Sequence, residues 1–235
     1  MSEQETAVVI GVGPGLGRAP VELLSGEGMR VLAAARNPDK LGDALALDGV
    51  VPVACDATDE RSVEALFEQA GGAPDLTAFN AGAFVPGGVL ETEADEFMRC
   101  WQVGCFAGFL AGRAAAHALV RRLESGGPGG SILFTGATAS LRGGARFHNL
   151  AVGKFGLRAL AQSMARELGP AGIHVAHVII DGQIRAEREG YRESERGADA
   201  VLDPAAIARN YLQLHRQPRS TWTHELDLRP FVEKF

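Results

Sequence analysis

Seven short runs of apolar residues recur along the chain, and longer amphipathic stretches lie between them. The runs are almost continuously apolar, as in VVIGV and HVAHVII, which is typical of strands that helices cover on both faces. We therefore predict strands at Thr6–Val12, Met29–Ala35, Val50–Cys55, Asp75–Phe79, Ser131–Thr135, Ile173–Ile180 and His224–Leu228. The stretches between them predict helices near residues 15–27, 38–47, 59–70, 93–123, 151–169 and 203–216.

Strands that alternate with helices indicate βαβ units, which join into a parallel sheet. We expect one α/β domain over residues 1–235, built on a doubly wound parallel sheet with helices on both faces. Loops at the carboxyl ends of such strands line the ligand cleft. The charged stretch at about 181–203 is therefore a candidate substrate lid, the alternative being an unstructured charged loop. Residues 222–235 predict a last strand and an apolar tail, whose phenylalanines are expected to pack on the substrate loop or on a partner subunit.

The composition narrows the class of protein. The chain has 235 residues, is 46% apolar and carries a formal net charge of −6, so it has a sizeable core and no basic field for nucleic acid. Its apolar runs are shorter than a membrane helix and its start lacks a basic region, which favours a cytoplasmic protein. The three cysteines have no disulfide or metal spacing, so we expect no metal.

The turn after the first predicted strand is rich in glycine and reads GVGPGLGR. Glycine permits positive φ, lets the backbone approach a pyrophosphate and lets the next helix aim its N-terminus at the anion. The spacing G-x-x-x-G-x-G fits Gly11, Gly15 and Gly17. A G-x-G-x-x-G pattern fails because Leu16 holds the sixth position. We expect this turn, with Leu16 and Arg18, to bind a dinucleotide in a fold of the Rossmann type.

A basic residue stands at the end of the second predicted strand. NAD-selective proteins usually place an acid there, which binds the ribose 2′-hydroxyl. Here the residue is Arg36, and with Arg18 it favours a 2′-phosphate and hence NADP(H) over NAD(H). The alternative is a solvated arginine at the start of a helix.

Together these motifs resemble those of the short-chain dehydrogenase/reductase family. Asp56, after the third strand, resembles the family's adenine-contacting aspartate, the alternative being a plain helix cap. Asn80-Ala81-Gly82, after the fourth strand, resembles the family's N-A-G motif, which steadies the sheet beside the cofactor. The resemblance covers residues 6 to about 182 and implies that Asn80 and Gly82 belong to the cofactor site.

The resemblance also implies a catalytic Tyr and Lys spaced Y-x-x-x-K on a helix, with a Ser before them and an Asn on the preceding long helix. Lys154 stands at the Lys position, but Leu150 stands at the Tyr position. Ala137 and Gly104 stand at the Ser and Asn positions. We therefore expect an atypical member that keeps the cofactor site and one catalytic residue.

Four residues are candidates for the missing acid or base. Lys154 is either a ribose ligand, which we favour, or a general acid. His148 titrates near neutrality but would point away from Leu150 on a helix, so a structural role is the alternative. Asp181 replaces the family's usual proline and would act as a base or favour the cationic nicotinamide, the alternative being a simple turn. Thr138 would bind an oxyanion, the alternative being a hydrogen bond at the strand end.

The expected function is that of an NADP(H)-dependent oxidoreductase that acts on a small-molecule carbonyl or alcohol with a non-standard proton donor. Two alternatives stay open: a non-redox isomerase, lyase or cyclase on the same fold, and a catalytically inactive cofactor-binding protein. The resemblance implies a homodimer or homotetramer formed through the helices at 93–123 and 151–169.

Overall fold

Seven parallel strands form one sheet in the computed structural model, which describes residues 4–185 and 199–233. The strands are β1 Thr6–Ile10, β2 Arg30–Ala35, β3 Val50–Ala54, β4 Leu76–Phe79, β5 Ser131–Thr135, β6 His174–Ile180 and β7 Glu225–Leu228. The helices are α1 Arg18–Gly26, α2 Glu60–Gln69, α3 Ala94–Trp101, α4 Ala107–Glu124, α5 His148–Leu168 and α6 Pro204–His215.

The strand order is β3-β2-β1-β4-β5-β6-β7, with every pair parallel. The chain therefore winds outward from β1 in one direction and from β4 in the other, which is the doubly wound topology that the sequence predicts. In such sheets ligands bind at the switch between the two halves, beyond the carboxyl ends of the strands.

The core has two layers because helices cover both faces of the sheet. Side chains of α2, α4 and α5 pack on one face, among them Leu66, Leu110 and Leu157. Side chains of α1 and α6 pack on the other face, among them Leu24 and Tyr211. The five inner strands are buried on both sides by this arrangement, whereas the edge strands β3 and β7 are partly exposed.

The helix predicted near residues 38–47 is wrong in type and length. The structure has a short 3₁₀ segment, Pro38–Leu45, which a non-helical residue, Gly42, interrupts with φ 45° and ψ −134°. A glycine at positive φ breaks the helical hydrogen bonding on both sides, so no regular α-helix forms there.

The long helix predicted at 93–123 is present, but it contains an irregular turn. Between α3 and α4 lies a π-helical segment, Gln102–Phe106. The whole run Ala94–Glu124 is long and apolar enough to cross a membrane by length and composition, which the interrupted apolar runs did not suggest. Half of its most apolar window is buried inside the protein, as in a helix that packs in a core.

The other helix boundaries differ by a few residues. Helix α5 begins at His148, three residues before its predicted start, so Leu150 lies in its first turn. Helix α2 has a side-chain cap, because Asp59 accepts a hydrogen bond from the Ser62 backbone N–H at 2.7 Å.

Most of the predicted lid lies outside the described residues. Its two ends are joined, since Ile184 and Leu202 form a parallel β-bridge. After β7, Phe231 is 80% exposed and Val232 is also exposed within the described part of the chain, and the expected packing of this tail on the substrate loop or on a partner subunit stays a prediction. Phe235 lies beyond the described part of the chain.

Candidate active site

The glycine-rich turn after β1 has the geometry that its spacing predicts. Gly11 and Gly15 both adopt φ near +90°, a conformation that L side chains rarely adopt. A Cβ on Gly17 would lie 2.6 Å from the Gly11 carbonyl oxygen and from the Gly13 nitrogen. The turn therefore needs its glycines to fold back on itself, and it leaves a cradle against backbone N–H groups.

Helix α1 begins directly after this turn and has the features of an anion site. Its N-terminus has no side-chain cap and no acidic residue in its first turn. The Arg18 and Ala19 backbone N–H groups donate to the Gly15 carbonyl oxygen at 3.2 and 3.3 Å, and Pro20 has no N–H, so it is the helix dipole that favours a phosphate at this point. Of the two other predicted turn residues, Leu16 is buried in the core, and Arg18 forms an ion pair with Glu22 at 2.5 Å. Leu16 thus serves the site through its backbone and its packing.

A cleft of about 430 Å³ opens at the carboxyl ends of β1 to β4. Four predicted cofactor residues line it together with Gly11, namely Arg36, Asp56, Asn80 and Gly82. The sequence interpretation missed three more lining residues, Arg99, Gln102 and Val103, which come from α3 and the π-helical segment. These three residues belong to no recognisable sequence motif, so their place in the cleft could be known only from the path of the long helix.

The side chains of Asp56 and Asn80 form hydrogen bonds that hold segments of the cleft wall in place. The Asp56 carboxylate accepts hydrogen bonds from the Thr58 backbone N–H and hydroxyl, at 2.9 and 2.7 Å. These bonds, and to a smaller extent Arg36, hold the pKa of Asp56 below its usual range. Asp56 is not the cap of α2, because Asp59 has that role. The Asn80 amide donates to the Gly11 carbonyl at 3.3 Å and so ties β4 to the glycine-rich turn.

Lys154 lies on α5 with only 6% of its surface exposed. Its ammonium donates to the Thr135 carbonyl oxygen at 2.7 Å, and a Cβ on Gly82 would lie 3.7 Å from Nζ. Burial lowers the pKa of Lys154 from 10.5 to about 8. Lys154 therefore stands beside the Asn80-Ala81-Gly82 wall of the cleft with a proton that is easier to release than that of a solvated lysine.

Two other predicted candidates meet at the ends of β5 and β6. The Thr138 hydroxyl donates to Asp181 Oδ1 at 2.5 Å. A third residue, Arg229, places its guanidinium 3.2 Å from Asp181 Oδ2 and also pairs with Asp227. Asp181 is buried, and both neighbours bind its carboxyl group. No sequence motif indicated Arg229, which directly follows β7.

The fourth candidate, His148, has different neighbours. It is the first residue of α5, and its ring stacks on Phe97 with the centroids 6.2 Å apart. Its Nδ1 is buried and has no hydrogen-bond partner among residues 4–185 and 199–233. The structure brings Thr138 and Asp181 together and assigns no contact between His148 and either of them.

The lowered pKa of Lys154 predicts a pH-dependent stability. Above about pH 8 the native lysine loses its proton, whereas the unfolded one keeps it to about pH 10.5, so the unfolded state binds more protons in this window. The free energy of unfolding should therefore rise between these pH values, by on the order of 2–3 kcal/mol from this residue. Urea unfolding of the wild type and Lys154→Met at about pH 8 and pH 10 measures it. Parallel pH profiles for the two proteins would contradict the prediction.

The family model described as short chain dehydrogenase matches residues 5–194, so the chain belongs to the short-chain dehydrogenase family. This is a family of oxidoreductases that bind a nicotinamide cofactor.

A short-chain dehydrogenase from Rhodopseudomonas palustris has a similar solved structure. It is 39% identical with a TM-score of 0.81, and the match covers 97% of this chain and 100% of that one. A putative short-chain dehydrogenase/reductase from Burkholderia xenovorans, 23% identical with a TM-score of 0.83, shares the fold over 96% of this chain and 95% of its own.

Two curated relatives are 32% identical to this chain. They are short chain aldehyde dehydrogenase 1 of Euphorbia lathyris and (21S)-21-acetoxyl-apo-melianone synthase of Melia azedarach. Each match covers 74% of this chain, but only 62% and 65% of the respective relative. An uncharacterized oxidoreductase of Staphylococcus aureus (strain N315) is 27% identical over 95% of this chain and 96% of its own length.

Proposed function

We propose that the protein is an NADP(H)-dependent oxidoreductase that acts on a small-molecule carbonyl or alcohol, with Lys154 as its proton donor. The observation that carries the proposal is the juxtaposition of the glycine-lined cleft with a nine-tenths buried lysine at its wall. The family position of Lys154, together with the leucine at position 150, supports an atypical active site.

The cofactor preference rests on Arg36. It lines the cleft at the end of β2, where an acid would bind the 2′-hydroxyl of NAD. A guanidinium binds a phosphate through charge-assisted hydrogen bonds, so Arg36 favours the 2′-phosphate of NADP(H). Gly11 and Gly17 allow the close backbone packing that shapes the turn before α1, where we expect the pyrophosphate to bind.

When bound, NADPH supplies the hydride that reduces the carbonyl carbon. The protein must then protonate the carbonyl oxygen, and a leucine at position 150 has no proton to give. One N–H of Lys154 is taken by the Thr135 carbonyl, which leaves the other two for ligand and substrate. With a pKa of about 8, the ammonium is charged at pH 7 and is a stronger acid than an ordinary lysine. Solvent restores the proton after each turnover.

Asp181 acts through its charge in this scheme. Arg229 and Thr138 hold its carboxyl group through an ion pair and a hydrogen bond. A fixed negative charge near the nicotinamide favours the cationic, oxidised ring by Coulomb attraction. The Euphorbia relative is named an aldehyde dehydrogenase and the Melia relative a (21S)-21-acetoxyl-apo-melianone synthase, and both names agree with carbonyl or alcohol chemistry.

We also propose a cytoplasmic homodimer or homotetramer. Large apolar side chains are exposed on the two long helices, among them Met98 and Phe109 on α3 and α4, and Val152 and Phe155 on α5. Apolar faces of this kind are covered in many oligomers, which fits the association that the family resemblance implies.

The experiment that tests the proposed activity follows the absorbance of NADPH with a panel of aldehydes, ketones, quinones and enones at about pH 5–9. We expect stoichiometric consumption of NADPH with at least one class. Binding of NADPH without consumption across the whole panel would reject the redox proposal. A conversion of substrate without hydride transfer would instead favour the isomerase, lyase or cyclase alternative.

A substitution at Arg36 tests the cofactor preference. Arg36→Gln should weaken NADPH binding about tenfold or more and leave NADH binding within about twofold, because only NADPH carries the 2′-phosphate. Isothermal titration of both cofactors measures the effect. Arg121→Gln, an exposed arginine in the last turn of α4, is the matched control and should change neither affinity. Equal losses for NADPH and NADH in Arg36→Gln would contradict the assignment.

A further inference from the structure

A buried hydrogen-bonded array lies behind the Thr138–Asp181 pair. Ser140 Oγ is 3.3 Å from His177 Nε2, and His177 Nδ1 is 3.1 Å from Glu225 Oε2. The Arg158 guanidinium completes the array, binding both oxygens of Glu225 at 2.7 Å. The array thus joins the loop after β5 to β6, β7 and α5.

The direction of each hydrogen bond follows from burial and charge. His177 is fully buried, and burial lowers its pKa to about 4, so the ring is neutral at pH 7. The Glu225 carboxylate accepts only, so the ring proton is on Nδ1 and Nε2 accepts from the Ser140 hydroxyl. Ser140 Oγ in turn accepts from the Ala137 backbone N–H at 3.1 Å.

The order serine, histidine, glutamate is that of a nucleophile, a base and an orienting acid, but the array is not a hydrolytic site. Ser140 is fully buried, and its oxygen is enclosed between the His177 ring and the Ala137 N–H, so no substrate can reach it. The packing is also closed at Gly136, where a Cβ would lie 2.3 Å from His177 Nε2.

The array holds the turn from Ala137 to Ser140 at both of its ends. Ser140 N–H donates to the Ala137 carbonyl at 2.8 Å, while Ala137 N–H donates to the Ser140 hydroxyl. Thr138 lies within this turn and donates to Asp181. Any shift of Ser140 would therefore move Thr138 relative to the carboxylate.

We propose that Ser140, His177 and Glu225 are positioning residues that hold the Ala137–Ser140 turn, so that Thr138 orients the Asp181 carboxylate toward the reacting groups. This inference rests on the proposed function, since it assigns Asp181 a role in turnover. It adds residues outside the cofactor cleft, none of which touches cofactor or substrate.

The test compares Ser140→Ala with a matched control, His174→Gln. His174 is buried at the start of the same strand, where it contacts Thr223 and Trp222 and not the turn. Each variant is assayed for melting temperature, NADPH affinity, kcat and hydrogen exchange at the Ala137 amide. We expect both variants to melt earlier. Only Ser140→Ala should speed Ala137 exchange about tenfold and lower kcat about tenfold at unchanged NADPH affinity.

The outcomes separate this inference from the proposed function. Unchanged Ala137 exchange in Ser140→Ala, or an equal loss of kcat in His174→Gln, would overturn the positioning role. If the wild type consumes no NADPH with any carbonyl, the proposed function fails, and the assigned role of the array in turnover fails with it. If the wild type is active and Ser140→Ala keeps full kcat despite faster exchange, only the positioning role is rejected.

Discussion

Replacing Lys154 by methionine is expected to lower kcat for carbonyl reduction by a factor of about 10²–10⁴. A positioned general acid contributes this much to the rate, and position 150 offers no second proton donor. Methionine fills a similar volume and removes the buried charge, so the protein should stay folded. Steady-state kinetics with saturating NADPH measures kcat, and urea unfolding confirms the native state.

A second variant distinguishes the role of Lys154 as a proton donor from the role of its positive charge. Lys154→Arg keeps a positive group near the cofactor, but a guanidinium does not release its proton near pH 7. We expect it to bind NADPH within a few-fold of the wild type and to lose kcat as severely as Lys154→Met. Near wild-type turnover in Lys154→Arg would show that Lys154 serves only as a cofactor ligand.

The second large effect is expected at Gly17. A Cβ there would meet two backbone atoms at 2.6 Å, the Gly11 carbonyl oxygen and the Gly13 nitrogen. Neither can move without opening the turn that receives the pyrophosphate, so Gly17→Ala should weaken NADPH binding about 100-fold. Isothermal titration measures the affinity.

The control for this substitution lies in the same helix. A Cβ on Gly26, the last residue of α1, would meet no atom within 4 Å. Gly26→Ala should therefore bind NADPH like the wild type, and a melting curve without cofactor should show that both variants are folded. Wild-type affinity in Gly17→Ala would mean that the turn does not hold the pyrophosphate.

The fold could be predicted because the sequence patterns that indicate its strands are local. Strands buried on both faces are largely apolar, and β1 and β6 show this in TAVVI and HVAHVII. The helix predictions were wrong where a local backbone conformation interrupted a helix. Gly42 ends the helix predicted near 38–47, and the π-helical turn at Gln102–Phe106 has no sequence signature.

The cofactor cleft was largely predictable from the sequence, whereas the neighbours of Asp181 were not. Glycine spacing and the end of β2 are local patterns, and they placed Gly11 and Arg36 at the cleft. The contact between Thr138 and Asp181 spans 43 residues, and Arg229 comes from beyond β7. Contacts at such separations are set by how the strands pair, which short motifs do not encode.

The most direct test of the proposed cofactor site is an equilibrium titration of the protein with NADPH and with NADH, side by side. We expect micromolar binding of NADPH and binding of NADH at least about tenfold weaker, a gap of about 1.4 kcal/mol. No binding of either cofactor, or NADH binding as tightly as NADPH, would contradict the site assigned to Gly11, Gly15, Gly17 and Arg36.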